Sequence, residues 1–534
     1  NQKLYHALLG ILLVCALAMM MLLSYWACKY SYYGAVDGRT RGVLVGDRTW
    51  AHIAVFLAAS LCTMGIDKVL MKKDKSQQEK ICLCTLIVTS VIAFILGVFY
   101  VCKNPYYPVG DQINTTAFAA YCRDGNFSML SIGGYVGMYQ QQKGLAILYE
   151  ILFTLFGDFN YRPAKILHVV WWILTILAGY GFLKLNTDRP VFRMLYCVMM
   201  LGCFPLLFYL PYIYGDVLSI SFGIILFYGV AAYEHSGQKR YIALASFAAG
   251  LAVLARKNTW IVLVAVAVYV LLVSLRKKKV RYLMAGTAIL LTAALSVKAV
   301  DVIYEVRSGY PSGVGIPSIL WVAMGLQETE GRAGVYNRYQ QATFTDYDCQ
   351  QELAAQQGKE YIRERLEEFS QDPGMAFNFF KNKVEGQWIE PMYAALESTE
   401  SFEEGAELSP VLESLYYGEL GRTIWKLTNY YQSILYLAGL MALVMLGILW
   451  WKKKEVPISL WLPWIAVFGG FLFSILWEAK SRYVFPYCVF MILYAPEGLY
   501  QTGLLLCKLP KLRKFKKSGH TQDKGEEAPL RETA

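Results

Sequence analysis

The sequence predicts an all-α, polytopic membrane protein, built as a bundle of about twelve transmembrane helices. Of its 534 residues, 56% are hydrophobic and only 17% are charged, and the mean hydropathy is +0.36. Apolar stretches of about 20 residues, enough to cross a bilayer, account for almost half of the chain. Because soluble domains average about 25% charged residues, this composition excludes a disordered, collagen-like or small disulfide-rich protein.

The first apolar run is too long for the core of a signal peptide, so we interpret it as a span. The spans divide the chain into two N-terminal helices (1–80), a core (81–300), an external segment (301–431), a C-terminal membrane part (432–505) and a basic, then disordered tail (506–534). We predict spans at approximately 4–27, 50–71, 81–102, 162–184, 191–213, 217–234, 240–255, 259–275, 281–300, 432–451, 457–477 and 483–505.

The distribution of charge predicts the orientation. The chain carries a net charge of +11, but residues 301–431 hold 10 Lys and Arg against 21 Asp and Glu. The basic excess therefore lies in the short loops and the tail, where it marks the cytoplasmic side. We expect both termini in the cytoplasm of a multi-pass protein of the bacterial plasma membrane. A basic stripe on a soluble face, as nucleic-acid binding requires, is not visible, so no nucleic-acid partner is expected.

Two large segments are then expected outside. In the loop 103–161, a helix from Ile113 to Cys122 precedes a 14-residue apolar stretch, 144–157, which is short for a span and is predicted to lie at the membrane interface. The segment 301–431 is mainly helical. Its helix 350–369 is followed by Asp372-Pro373, a start signal for a second helix that runs through Trp388.

Ionisable residues recur at the outer ends of the predicted spans. Asp111 follows the third span, Asp216 follows the fifth, and Arg256 and Lys257 form a turn after the seventh. A run of the form E-x-x-x-R-Y-x-x-P, which precedes the last span, contains Glu478, Lys480 and Arg482. Arg162 begins the fourth span.

An acidic residue just after a span, then an amphipathic helix and an interfacial helix, resembles the first external loop of the GT-C superfamily of membrane glycosyltransferases. The resemblance extends over residues 81–505 and is nearest to the protein O-mannosyltransferase and aminoarabinose transferase group. It implies that Asp111 lies beside the sugar of a polyprenyl-phosphate donor, that Asp216 is the second acidic residue of the site, and that 478–486 is the final outer-face motif.

The chemistry of these residue types fits that implication. An ionised Asp111 can accept the proton of an acceptor hydroxyl, and Asp216 can position the acceptor or a cation. Arg482 and Lys480 are the leading candidates to bind the donor phosphate, and Glu478, Arg256, Lys257 and Arg162 complete the predicted substrate-binding set, because Arg and Lys suit phosphate oxygens. The acceptor is a glycan, a lipid or a protein, and membrane lipids are the other partners.

Each candidate also has a structural interpretation. Asp111 and Asp216 fit helix caps, Glu478 and Arg482 fit an ion pair with each other, and Arg256 and Lys257 fit contacts with lipid headgroups. The twelve cysteines lie mostly in apolar runs, and no His spacing suits a metal. We expect no resident metal or other cofactor, although two acidic residues leave room for a divalent cation.

The leading prediction is a glycosyltransferase that moves a sugar from a polyprenyl-phosphate donor to an acceptor hydroxyl on the external face. Two alternatives stay open, a transporter or flippase of a lipid-linked sugar and a polysaccharide polymerase. Transporters place charges near the membrane midplane and often contain repeats. Here the candidate charges lie at span ends, and no repeat is apparent.

Overall fold

The computed structural model describes residues 2–33, 43–313, 315–454 and 456–519, and these are mostly helical. The first part contains three long helices and a two-stranded antiparallel sheet between the first two helices. Their bounds are α1 Gln2–Lys29, β1 Tyr30–Tyr33, β2 Val43–Gly46, α2 Thr49–Leu70 and α3 Lys75–Lys103.

The predicted external loop forms three helices. The apolar stretch expected at 144–157 is a helix of 14 residues, so its predicted length is confirmed. The helices are α4 Asp111–Arg123, α5 Tyr135–Met138 and α6 Lys143–Phe156. The core that follows contains α7 Arg162–Asn186, α8 Pro190–Leu201, α9 Phe204–Phe208, α10 Asp216–Ser236, α11 Lys239–Ala255, α12 Trp260–Lys277 and α13 Val280–Ser308.

The segment 301–431 is mainly helical, as predicted. Asp372 caps its second long helix by accepting a hydrogen bond from the Met375 amide at 2.9 Å, and Pro373 is the first helical residue. After the end of α13, the elements are α14 Ile319–Gly325, β3 Glu328–Thr329, β4 Arg332–Ala333, α15 Tyr339–Asp346, α16 Gln351–Gln371, α17 Pro373–Trp388, α18 Ala395–Ser398 and α19 Pro410–Tyr417. The C-terminal part contains α20 Glu419–Trp451, α21 Leu462–Leu476, α22 Ser481–Met491 and α23 Ala495–Gly519.

Within the described ranges, nine helices are long and apolar enough to cross a membrane, so a multi-pass membrane protein is confirmed. Of the other three predicted spans, two are divided into separate helices and one is a single shorter helix. The span 191–213 is divided into α8 and α9, the span 240–255 is the 17-residue α11, and the span 483–505 is divided between α22 and α23. The predicted disordered tail falls on residues 520–534, outside the described residues, whereas 506–519 continue α23.

The basic loops lie together at one end of the bundle. There, Arg189 binds Asp67 at 3.0 Å and Arg193 binds Glu79 at 2.6 Å. The start of α1, near Tyr5, and the part of α23 near Tyr500 lie at this same end, which we call the basic end. The guanidinium of Arg276 is 6.0 Å from the Tyr5 ring near the N-terminus, and that of Arg189 is 4.6 Å from the Tyr500 ring on α23.

The loop 103–161 and the segment 301–431 meet at the opposite end. The Tyr107 amide donates to the Ser401 carbonyl at 2.8 Å, and the Glu403 amide donates to the Pro105 carbonyl at 3.0 Å. The β1–β2 sheet also joins this end, because the Tyr32 amide donates to the Ile389 carbonyl at 3.0 Å. The segment therefore packs directly over the ends of the core helices.

Candidate active site

Asp111 is the first residue of α4, where the helix dipole favours a carboxylate. The N-cap is Gly110, whose φ of +57° is accessible mainly to glycine, and it makes no side-chain cap. The Asp111 carboxylate is exposed and accepts a hydrogen bond from the Tyr135 hydroxyl at 2.8 Å. Burial, and then the charge of Asp111, raise the pKa of Tyr135, so its hydroxyl stays protonated and donates to the carboxylate.

Asp216 is the first residue of α10 and faces the end of α11. Gly215 permits this approach, because a Cβ at that position would lie 2.0 Å from the Ala255 carbonyl oxygen. The Asp216 carboxylate is 3% exposed and accepts a hydrogen bond from Arg256 Nη1 at 2.5 Å. A close approach of two backbones therefore brings a buried carboxylate against an arginine that is 40 residues away in the sequence.

Arg482 completes what we call the arginine cluster, defined as Asp216, Arg256 and Arg482. Its Nε is 3.9 Å from Asp216 Oδ1, and its guanidinium donates to the Tyr212 hydroxyl. The rings of Tyr214 and Tyr483 lie within 5.6 Å of both guanidiniums. Two arginines against one carboxylate leave a positive charge held in a largely buried aromatic setting, which suits an anionic ligand.

Glu478 lies next to this cluster, in the turn between α21 and α22. It is 7% exposed, and its Oε1 accepts a hydrogen bond from the Tyr483 hydroxyl at 3.4 Å. Burial raises the pKa of Glu478 to about 7; the nearby charge of Lys480 opposes this shift, and that of Asp111 adds to it. The charge of Asp111 acts on Glu478, so the loop 103–161 and the last motif lie near each other.

A cavity of about 380 Å³ lies on one side of the site, between α11, α13 and the start of α6. Its wall is aliphatic along α11 and α13, where Leu254 and Val300 lie, and polar where Lys257, Ser318 and Gln351 close it. Lys143, also in its wall, is fixed by an ion pair with Asp301 at 2.5 Å. We call this space the apolar cavity.

A larger cavity of about 680 Å³ lies between the segment 301–431 and the turn 478–481, and we call it the polar cavity. Glu478 and Lys480 line it from the membrane part, and Lys383 lines it from α17. Lys383 is 1% exposed, and its Nζ donates to the Gly325 carbonyl. Burial lowers the pKa of Lys383 to about 7, and the charge of Glu478 partly opposes this shift.

The structure brings together most of the residues singled out from the sequence. Asp111, Asp216, Arg256, Glu478 and Arg482 share one site, Lys480 faces the polar cavity, and Lys257 faces the apolar cavity. Arg162 is exposed at the start of α7, and among the described residues its side chain makes no bond to the others.

Three structural interpretations differ from what is observed. Asp111 and Asp216 are not the caps of α4 and α10, because Gly110 and Gly215 occupy those positions. Arg482 contacts Asp216 rather than Glu478, whose bond goes to Tyr483. The physical reason is that α22 begins at Ser481, so Glu478 precedes the helix and does not share a face with Arg482.

The sequence did not single out Tyr135, Tyr214, Tyr483 or Lys383. Tyr483 lies inside the quoted final motif, and Tyr135 follows Gly133-Gly134, so position gave a signal for these two. Lys383 lies in a polar helix like many solvent-exposed lysines, and only the packing of the segment against Gly325 and Gly334 reveals its burial.

A divalent cation finds little support here. Within the ranges the structure describes, no group of three or more His, Cys, Asp or Glu is placed to hold a metal ion. The Asp216 carboxylate, the best buried acid of the site, is already bound to Arg256.

Comparison of the chain with known protein families and curated proteins, and of its structure with solved structures, finds no match.

Proposed function

We propose that the protein is a membrane glycosyltransferase of the GT-C type, which transfers a sugar from a polyprenyl-phosphate donor to an acceptor hydroxyl on the external face. One observation carries the proposal. Asp111, Asp216 and Arg482, each more than 100 positions from the next, lie near one another at the end of the bundle opposite the basic loops, between an apolar and a polar cavity. The charge of Asp111 acts on Tyr214, whose ring packs against Arg482, and on Glu478.

In this proposal Asp111 is the general base. The acceptor oxygen attacks the anomeric carbon of the donor sugar, and its proton passes to the Asp111 carboxylate. The bond between the anomeric carbon and the phosphate oxygen breaks, and polyprenyl phosphate leaves, with inversion at the anomeric carbon. The hydrogen bond from Tyr135 orients the carboxylate, and the exposure of Asp111 leaves it accessible to the acceptor.

The arginine cluster would stabilise the negative charge that develops on the departing phosphate. Asp216 then serves as a positioning residue, because it holds Arg256 at 2.5 Å and lies 3.9 Å from Arg482. The apolar cavity would accommodate the start of the lipid chain, with Lys257 at its polar edge. This arrangement would hold the phosphate at the junction between lipid and water.

The test is transfer by the purified full-length protein from a panel of labelled polyprenyl-phosphate monosaccharides, mannose, glucose, galactose and aminoarabinose among them. Asp111→Asn keeps the shape of the side chain but cannot take the proton, so we expect transfer to fall about 10²- to 10⁴-fold. Asp124→Asn, at the exposed far end of α4, is the matched control and should retain activity. Wild-type transfer by Asp111→Asn would remove Asp111 from catalysis.

The same reconstituted protein separates the alternatives. A flippase would move the lipid-linked sugar between leaflets without forming a new glycosidic bond. A polymerase would extend its own product instead of adding one residue to a defined acceptor.

A further inference from the structure

The polar cavity is built chiefly by the external segment 301–431. The Ala479 amide donates to the Gly334 carbonyl at 2.7 Å, which attaches the β3–β4 turn to the loop before α22. From the other side, Lys383 bonds to the Gly325 carbonyl and fixes α17. These two hydrogen bonds hold the walls of the cavity in place. Glu478 lines the side of the cavity nearest the candidate site, and the charge of Asp111 contributes to its raised pKa.

The wall of this cavity offers hydrogen-bonding groups of both charges, with carboxyl groups in excess of cations. Among the described residues, five carboxyl and three cationic side chains line it, with the phenol rings of Tyr32 and Tyr336. Burial raises the pKa of Glu390 to about 7 and also raises that of Glu397. Near neutral pH the Glu390 carboxyl is therefore protonated in part of the molecules, and a carboxyl group both donates and accepts hydrogen bonds in that state. The carboxyl side chains are Glu330, Glu385, Glu390, Glu397 and Glu478, and the cations are Arg332, Lys383 and Lys480.

Glu385 gives an independent indication of a ligand. It is 2% exposed and lies in the wall of the cavity, and Lys381 binds its Oε2 at 3.4 Å. Its Oε1 is buried and has no hydrogen-bond partner among the described residues. Because an unsatisfied buried carboxyl oxygen is costly, rotation of the Glu385 side chain toward a hydroxyl-bearing ligand in the cavity would supply the missing donor.

We propose that the polar cavity binds the acceptor, and that the acceptor is a carbohydrate without negative charge. This rests on the proposed function and narrows it, because lipid and protein acceptors are then set aside. The volume of about 680 Å³ is in the range of small-molecule sites. Hydroxyl groups satisfy carboxyl oxygens, and aromatic rings at the rim present flat faces to a sugar ring.

Other ligand classes fit the wall less well. A phosphate or a uronic acid would face five carboxyl groups, with only three cations to compensate. An extended peptide is usually bound by main-chain pairing along a strand edge, whereas this wall is formed mainly by side chains from α17, the β3–β4 turn and the loop 478–481.

Gly386 allows the cavity to be filled without damage to the fold. It lines the cavity within α17, and a Cβ there would touch only the Tyr32 ring, at 4.0 Å. Gly386→Met should place its side chain in the cavity, and replacing a glycine inside a helix does not cost helix stability. Gly65→Met is the matched control, because Gly65 is an exposed helical glycine on α2 with open space around it.

The experiment measures binding of free oligosaccharides to the full-length protein in nanodiscs by saturation-transfer NMR, with no donor present. The probes are maltotriose, mannotriose, chitotriose, trigalacturonic acid and a threonine-containing tripeptide. We expect at least one neutral trisaccharide to bind, Gly386→Met to weaken it more than 10-fold, and Gly65→Met to leave it unchanged. Glu397→Gln should weaken binding about 2- to 10-fold, whereas Glu407→Gln, exposed on the same segment, should not.

Equal binding of the neutral trisaccharide to the wild type and Gly386→Met would overturn the proposal. So would a preference for trigalacturonic acid or the tripeptide, or binding of none of the probes. Because the assay contains no donor, it is independent of catalysis. Saccharide binding without any transfer would contradict the proposed function and leave the cavity assignment intact. Transfer that is unaffected by Gly386→Met would contradict the cavity assignment and leave the proposed function intact.

Discussion

Asp216 shows how a single buried charge constrains its surroundings. Its carboxylate is 3% exposed and is bound to Arg256 at 2.5 Å, with Arg482 farther away at 3.9 Å. Removing one partner of a buried ion pair is costly because the remaining charge stays out of water. The cluster is therefore expected to contribute to folding as well as to any ligand binding.

We predict that Arg256→Ala lowers the stability of the purified protein by about 3 kcal/mol, because Asp216 keeps only its more distant partner. The measurement is the apparent Tm in detergent, with the exposed neighbour Lys257→Ala as the control. The double variant Asp216→Ala/Arg256→Ala should recover part of the loss. Strictly additive effects of the two substitutions would show that the pair is not coupled.

Glu478 carries a prediction about pH. Its pKa is raised by burial from an ordinary value near 4.5 to about 7, so the folded chain binds this proton more tightly than the unfolded chain. The stabilisation is complete below the ordinary value and is lost as the pH rises through about 7. Glu478→Gln should therefore be more stable than the wild type at pH 8.5, by at most about 3 kcal/mol, and similar to it at pH 5.

The comparison uses the apparent Tm of both proteins across this pH range. Glu404→Gln, at an exposed position of the segment 301–431, should follow the wild type at every pH. A constant difference between Glu478→Gln and the wild type would mean that Glu478 titrates normally.

The sequence singled out charged residues that the structure brings near one another, but it did not predict which of them form ion pairs. Asp111, Asp216 and Arg482 were singled out because each is an ionisable residue at the predicted outer end of an apolar span. Ionisable residues close to the membrane are costly, and they are therefore often functional. The partner of Arg482 depends on where α22 begins. Because the helix begins at Ser481, three residues after Glu478, Arg482 contacts Asp216 instead of Glu478.

At the scale of the elements, one glycine sets the distance between two helix ends. A Cβ at Gly215 would lie 2.0 Å from the Ala255 carbonyl oxygen, so a side chain there must push α10 away from α11. We predict that Gly215→Ala lowers the free energy of unfolding by about 1–3 kcal/mol, because overpacking forces backbone shifts. The measurement is a lower apparent Tm in detergent. Gly202→Ala is the control, since its Cβ would meet nothing closer than 3.5 Å.

A second measurement on Gly215→Ala is oligosaccharide binding in the polar cavity. This binding should persist, because Gly215 does not line that cavity. An unchanged Tm would mean that the two helix ends separate without strain.

Hydropathy predicted long elements better than interrupted ones. The capping signal Asp372-Pro373 was sufficient to place the start of α17, and the apolar length was sufficient for nine single helices. The predicted span 191–213 failed as one helix because Gly202, Cys203 and Pro205 separate α8 from α9. A hydropathy profile does not detect a break between two helices when both of them are apolar and buried.

At the scale of the whole molecule, the two ends of the bundle differ in charge and in chemistry. The basic end holds the Lys- and Arg-rich loops and the start of α1. Several of these cations have carboxylate partners, among them Asp67, Glu79 and Glu234. The opposite end holds the arginine cluster and both cavities. The sequence predicted this separation from loop charge, but not that the acidic segment 301–431 closes over the site.

This separation predicts the orientation in the membrane. Because positively charged loops stay in the cytoplasm, the basic end should face inward and the candidate site outward. In a variant without the twelve natural cysteines, single cysteines at the exposed positions Ile132 and Glu404 should react with an impermeant maleimide on intact cells. Cysteines at Lys73 and Lys279, exposed at the basic end, should react only after permeabilisation. The reverse pattern would place the arginine cluster in the cytoplasm, and a donor presented on the external face could then not reach it.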